Sequence, residues 1–406
     1  MSTGRMRERV REHWLLLGVL SLAGAFLTTP VQAQEGECDS GRRIEHAFQS
    51  GATWSLCANV EEAHGLTISS ASYRAPGDTL RSVIQEAHLG QLLLHYHDST
   101  QPEVQIDPSL YQNNDDDSSD LLSMNTSNCE GQVLDVPGRI AVICSRIKDN
   151  GILAKYAQRP SIQSDSLELS SAFQRDTLTW TSSFTFAEDG QVRPAISLSG
   201  RASHTQPDPR FGQSIPADTQ ALTRATLFTT WRLLFNLDTP GIDRIEQFDF
   251  PLRSLEGNRR PMQVTALDTE QFLTVDRGNF RGWRIVDTTG AGYYLDPANN
   301  GFNYSNKTMP WAAADAAITA YDACERHASN NLGESSSSSS TTNCGSSLDN
   351  FVNAQSLQGV QPVLWYSQSR TLDPRAEDWP VIRDLILGFD LLPFDWTAAS
   401  PFETNG

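Results

Sequence analysis

The chain has 406 residues and a formal net charge of −18 at pH 7. So large an acidic excess argues against nucleic acid or an anionic membrane surface as partner, and it favours solubility or cationic ligands. The length suffices for one large domain or two ordinary ones with a sizeable core.

Residues 1–33 read as a secretory signal: Arg5, Arg7, Arg9 and Arg11, then an apolar stretch over 14–27, then Val31-Gln32-Ala33 as a small-residue cleavage site. The apolar stretch is short for a membrane span, and the cysteine of a lipoprotein signal does not follow it. The expectation is a soluble exported protein, periplasmic or extracellular, without a membrane span. Removing the signal, with its four arginines against Glu8 and Glu12, leaves the mature chain near −20. Residues 34–53 form a lead-in, and 54–406 a single domain.

All six cysteines follow the signal, and an even count in an exported chain is most simply three disulfides. Neighbours in sequence suggest Cys38 with Cys57, Cys129 with Cys144 and Cys324 with Cys344, among fifteen possible pairings. A zinc site is disfavoured, because the close cysteine spacing of such sites is missing.

The texture that follows is β. Segments 66–73, 92–97, 140–144, 178–186 and 193–199 alternate or run apolar in short lengths between Gly, Pro, Asn and Asp. Many short strands with turns between them predict an all-β protein, a large β-sandwich with a few short helices. Glu188-Asp189-Gly190 reads as a hairpin turn in which Gly190 supplies a positive φ. Ala-rich sequence predicts a helix over 311–327, with a second near Ala354. Residues 113–120 and 203–220 read as loops, and the serine run near 333–343 as a flexible insertion.

The C-terminal wording Trp365-Tyr366, Pro374-Arg375, Glu377-Asp378-Trp379-Pro380, Gly388-Phe389, Pro393 and Pro401 resembles the end of the catalytic domain of copper-containing primary amine oxidases. Similarity continues in order upstream, at Gly65-Leu66 with Tyr73, at Tyr96 with Asp98, at Phe184 to Gly190, and at Arg232-Leu233 with Asp238. It covers about residues 54–401. Cys129-Glu-Gly131 and the segment from Cys144 resemble the family's disulfide-linked pair, which supports joining Cys129 to Cys144. The resemblance implies the family's dimerising β-sandwich.

That family oxidises primary amines with a quinone made from its own tyrosine, beside copper held by three histidines. Only a phenol can become the quinone, and copper(II) wants imidazoles. Counting from the matched motifs, the cofactor tyrosine falls on Leu178 and the copper ligands on Ala225, Leu227 and Leu372. A slip of alignment does not rescue them, since neither Tyr nor His occurs in 173–186, 219–231 or 368–379. The carboxylates of the secondary cation site fall on Leu234, Asn236 and Gln361. Asp107 is a vestigial match to the catalytic base, in a broken motif and without a quinone to serve.

His95 and His97, on one face of a predicted strand, form an alternative metal pair with His204 or His64 as completing ligand; exposed polar positions are the plainer reading. The expectation is therefore a pseudoenzyme with no cofactor, copper and topaquinone both absent, acting as a homodimer or in a heteromer with a related oxidase. The alternative is an oxidoreductase with a non-standard metal or cofactor site.

Overall fold

The computed structural model describes residues 38–61, 64–97, 121–155, 161–175, 177–215, 220–237, 243–252, 260–298, 302–305, 307–308, 312–328, 347–397 and 400–402. The signal, Asp98, Asp107, the acidic run 113–120, Asp238, the serine run and Cys344 lie outside the described residues.

In chain order the strands begin with β1 (Arg42–Ala47), β2 (Thr53–Glu61), β3 (Gly65–Arg74), β4 (Arg81–Tyr96), β5 (Gln132–Val136), β6 (Arg139–Ala154) and β7 (Ile162–Arg175). There follow β8 (Leu178–Ala187), β9 (Val192–Arg201), β10 (Thr205–Gln206), β11 (Gly212–Ser214), β12 (Ala221–Thr223), β13 (Ala225–Phe235) and β14 (Arg244–Asp249). The last are β15 (Gln263–Ala266), β16 (Gln271–Leu273), β17 (Gly282–Val286), β18 (Gly292–Asp296), β19 (Ala316–Ala320), β20 (Pro362–Leu372), β21 (Val381–Gly388) and β22 (Asp390–Phe394). A one-turn helix, α1 (Leu348–Phe351), precedes β20.

Two sheets carry the fold. The first runs β1-β2-β3-β4-β13-β20-β19-β16, and the second runs β15-β14-β17-β18-β22-β9-β8-β7-β6-β5 with β21 also paired to β9. Both have antiparallel pairings throughout the path that builds the site. The period of two along β8 buries Leu178, Trp180, Ser182, Phe184 and Phe186 on one face, as the sequence predicts. That face meets the first sheet through aromatic contacts, with Phe184 edge-on to Trp231 at 5.5 Å and Phe186 5.1 Å from Trp54. The Trp54 Nε1 donates to the Ala187 carbonyl at 2.8 Å, so its one polar atom is satisfied across the sheets. Gly190, at φ +91°, closes the β8–β9 turn, and its missing Cβ leaves room for the Tyr73 ring.

β13 is buried on both faces along its whole length. Its inward side chains meet the second sheet, whereas Leu234 on the outer face packs with Ala317, Ala328, Phe351, Val363 and Trp365. This outer cover overturns the helix expected over 311–327. Ala316–Ala320 is instead β19, every residue buried, paired to β20 and β16. Small side chains are needed there because both faces are crowded, and burial overrides helix propensity. The helix expected near Ala354 ends earlier, at Phe351, and Ala354 itself has φ +65°. Part of the loop expected over 203–220 is ordered as β10, a single turn at Pro209–Phe211 and β11.

Disulfides join Cys38 to Cys57 and Cys129 to Cys144, as expected from the sequence. Cys324 is also disulfide-bonded, to a residue outside those described. Among the described residues, no helix is long and apolar enough to cross a membrane.

Candidate functional site

The four positions found by counting lie on three separate strands, and the fold brings them together. β13 lies between β4 and β20, with Ala225 opposite Tyr96 on one side and Leu372 on the other. Leu227, two residues on, is opposite Leu94. Cross-strand partners and residues two apart share a face of a sheet, so these five side chains share the inward face at one end of β13. From the second sheet, Leu178 on β8 meets them. A cavity of about 10 Å³ is lined by Leu94, Tyr96, Leu178, Leu198, His204 and Leu372, which is room for one water at most.

The donor chemistry follows from these side chains. Ala225 and Leu227 are fully buried and Leu178 and Leu372 nearly so, and none carries a lone pair for a metal. The residues present do not fit a three-histidine copper site, and Leu178 offers no phenol for a quinone. Tyr96 and His204 do stand in the same cavity, their rings stacked at 3.8 Å and 24°. One imidazole does not make a three-ligand site. Among the described residues, no group of three or more His, Cys, Asp or Glu is arranged to hold a metal ion. Sequence reasoning missed the Tyr96–His204 stack, since residues so far apart in the chain leave no local pattern.

The positions that the sequence matched to a secondary cation site carry no carboxylate. Leu234 is in the outer apolar cluster. The Gln361 Nε2 donates to the Phe235 carbonyl and to Asp243 Oδ2, the latter at 3.0 Å, while the Leu237 N–H donates to the same carboxylate oxygen at 3.0 Å. An amide NH₂ thus supplies donors to a carbonyl and a carboxylate that face one another. Burial raises the Asp243 pKa to about 6, against the two hydrogen bonds that pull it down.

His95 and His97 do lie side by side, with ring centroids 5.4 Å apart. His97 stands just past the end of β4, its Nε2 2.8 Å from Thr226 Oγ1 and its N–H bonded to the Arg224 carbonyl. Burial, then the neighbouring His95 and Arg224 charges, lowers its pKa. The completing ligands expected from sequence are elsewhere. His204 stacks on Tyr96, whose side chain alternates to the opposite face from His95. His64 packs against His88 and His327.

The 374–380 motif proves to be a turn device. The Arg375 backbone N–H and Nε donate to Asp378 Oδ2 at 2.9 and 3.1 Å, and its Nη2 donates to Oδ1 at 2.7 Å. These bonds close a single turn, Ala376–Asp378, and the Pro380 carbonyl accepts from Ala202 N–H beside the β8–β9 ladder. A roomier cleft, of about 330 Å³, opens elsewhere, between Tyr73, Asp189, Tyr294, Phe394, Asp395 and Trp396.

Comparison with known proteins agrees with this fold. Residues 258–404 match the family model of the copper amine oxidase enzyme domain. The copper-containing benzylamine oxidase of Hansenula polymorpha has a similar fold, with a TM-score of 0.70 at 14% identity over 89% of this chain and 60% of that one. The Pichia pastoris lysyl oxidase gives 0.67 at 14% identity, over 97% of this chain and 57% of that one. The Aspergillus nidulans amine oxidase gives 0.67 at 16% identity, over 98% and 56%. The chain spans less than two thirds of the length of each, and no curated protein matches. By family match and by fold, the chain is copper-amine-oxidase-like.

Proposed function

We propose that the chain is an exported, catalytically silent relative of the copper amine oxidases, retained as a binding or assembly partner. One observation carries this reading. The four positions that should build the cofactor centre are filled by three leucines and an alanine: Ala225 is paired to Leu372 across the strands with Leu227 two residues on, and Leu372 meets Leu178 in a cavity with room for one water. Convergence supports the residue assignments, and the apolar filling supports a packing role in place of chemistry. A fold can persist when the site it once carried is lost. The oligomer is a homodimer or a heteromer with a related, active oxidase, and copper and topaquinone play no part. The disulfides fit a periplasmic or extracellular location. The open cleft bounded by Tyr73 and Trp396 is of a size that small ligands use.

Purified from its native source, the protein should be colourless, unreactive towards phenylhydrazine and free of stoichiometric copper, and it should bring its partner with it. A phenylhydrazine adduct or one copper per chain would overturn the silent reading. A second reading, an oxidoreductase with a non-standard metal site, rests on the adjacent His95 and His97 rings. It requires a stoichiometric metal that is lost in His95→Gln.

A further inference from the structure

Three histidines from distant parts of the chain meet on the outer face of the first sheet, away from the leucine-filled site. His64 stands just ahead of β3, His88 is on β4, and His327 is in the segment 321–328 that follows β19. The His64 ring lies 4.1 Å from His88 and 4.5 Å from His327, centroid to centroid. His64 and His88 are buried, and His327 half-buried.

Segment 321–328 is an irregular strap held to the sheet by a small set of bonds. Tyr321 N–H donates to the Gln361 carbonyl at 2.8 Å, and Ala328 N–H donates to the Gly90 carbonyl at 3.0 Å. Arg232 Nε donates to the Glu325 carbonyl at 2.8 Å, and His88 Nε2 is 3.2 Å from the Arg326 carbonyl. The Arg326 Nη2 pairs with Glu86 at 2.6 Å and Glu61 at 2.9 Å. The charged groups around the rings are therefore Glu61 from β2, Glu86 from β4 and Arg232 from β13, with Asp322, Glu325 and Arg326 from the strap itself. Glu270, ahead of β16, adds its field at Glu325.

We propose that His64, His88 and His327 form an acid-sensitive latch, which holds segment 321–328 on the sheet while the rings are neutral and releases it when His64 and His327 take protons. The three rings are not equivalent. His88 differs in having a carboxylate within ion-pair distance, Glu86 Oε1 3.1 Å from Nδ1, and the Arg326 carbonyl 3.2 Å from Nε2, although burial takes its pKa down to about 4 as well. The Nδ1 atoms of all three rings are buried without a hydrogen-bond partner among the described residues, and those of His64 and His327 have no carboxylate of these residues within ion-pair distance to take up a positive charge. A proton on either adds a cation stacked on its neighbour and close to Arg326, in a place that water does not reach.

The titrations agree in sign. Burial, then His88 and the other nearby positive groups, holds the His64 pKa well below 6.5, and burial with His88 and Arg326 takes His327 to about 4. The unfolded or released strap binds those protons more readily, so the attachment is at full strength above pH 6.5 and is lost as pH falls towards 4. Burial raises the Glu61 pKa, which weakens its pairing with Arg326 on the same descent. Glu86 does not share in it: burial alone would raise its pKa, but His88, Arg326 and Arg232 bring it down to about 2.

Hydrogen exchange read residue by residue on the full chain tests the latch. With rates corrected for their intrinsic pH dependence, protection at Tyr321 and Ala328 should fall at least about tenfold between about pH 7 and about pH 4.5, while Phe184 and Leu227 stay protected. His327→Gln cannot take the proton and should keep the strap protected at the lower pH; His64→Asn should do the same. The proposal is overturned by any of three outcomes: unchanged protection in the wild type, an equal loss in His327→Gln, or a loss shared equally by Phe184 and Leu227, which would be global unfolding. If His64→Asn does not fold, the half-buried His327→Gln variant decides alone.

Discussion

Truncating Leu372 to alanine measures how much the apolar filling between the sheets contributes to stability. Burial of leucine to this degree and the void left behind set a range of about 3–5 kcal/mol for Leu→Ala in a core. Two features place Leu372 at or below the bottom of that range. It lies at the end of β20 with 9% of its surface exposed, and the 10 Å³ gap beside it gives its neighbours a direction in which to relax. The expected loss is about 2–3 kcal/mol. Leu227, at 0% exposure in the central strand, has no such freedom, and Leu227→Ala should cost about 4 kcal/mol. Urea unfolding followed by tryptophan fluorescence reads both, provided the m-value is unchanged. A loss below about 0.5 kcal/mol for Leu372→Ala would place it among surface substitutions and refute the packing role. So would a loss larger than that of Leu227→Ala. Leu372→His should cost at least as much as the alanine, and copper(II) should not restore it, since the new imidazole and His204 would be two ligands at most, among Leu178, Leu198 and Ile382.

Other substitutions probe the polar supports. Arg232, 1% exposed, ties Glu86 to the strap; Arg232→Met should lower stability by about 1–3 kcal/mol in urea titration, the cost of leaving the Glu325 carbonyl without its donor while Glu86 keeps Arg326. Glu270 accepts N–H bonds from Ala320, Asn353 and Gln355; Glu270→Gln turns donors towards at least one of these and should cost about 1–3 kcal/mol by the same assay. Gln361→Glu would set a second carboxylate against Asp243, 3.0 Å from the present amide. Since the Asp243 pKa is already raised to about 6, its contribution is greatest at low pH and is lost as pH rises through 6, and the variant should exaggerate this loss. Thermal melts should show it destabilised at alkaline pH relative to the wild type; a melt with the wild-type pH dependence would refute the reading of the Gln361 amide as the donor that holds the Asp243 carboxylate.

Much of the fold was legible because the strands of the second sheet bury one face only. The two-residue period of β8 and the Gly190 turn after it could be read from side-chain types alone. Segment 311–327 misled for the opposite reason. Its alanines favour a helix in isolation, yet Ala316, Ala317 and Ala320 lie in β19 because the strand is packed on both sides and larger residues would not fit. The residue types at the four matched positions were likewise legible, since Leu and Ala cannot coordinate a metal in any fold. That His204 and His64 stand apart from His95 was not, because strand alternation puts Tyr96 with His204 on one side of the sheet and His95 on the other, and His64 packs with His88 and His327.

The sequence by itself thus determined the side-chain chemistry: which residue types stand at the matched positions, and that none of the four can bind a metal or become a quinone. It also determined the local periods that make strands. Only the tertiary structure decided what those positions touch. Antiparallel register set Ala225 opposite Leu372, and the stacking of one sheet on the other brought Leu178 to them. The histidines at 64, 88 and 327 meet for the same reason: proximity between distant segments is set by packing of the whole core, and no local pattern encodes it.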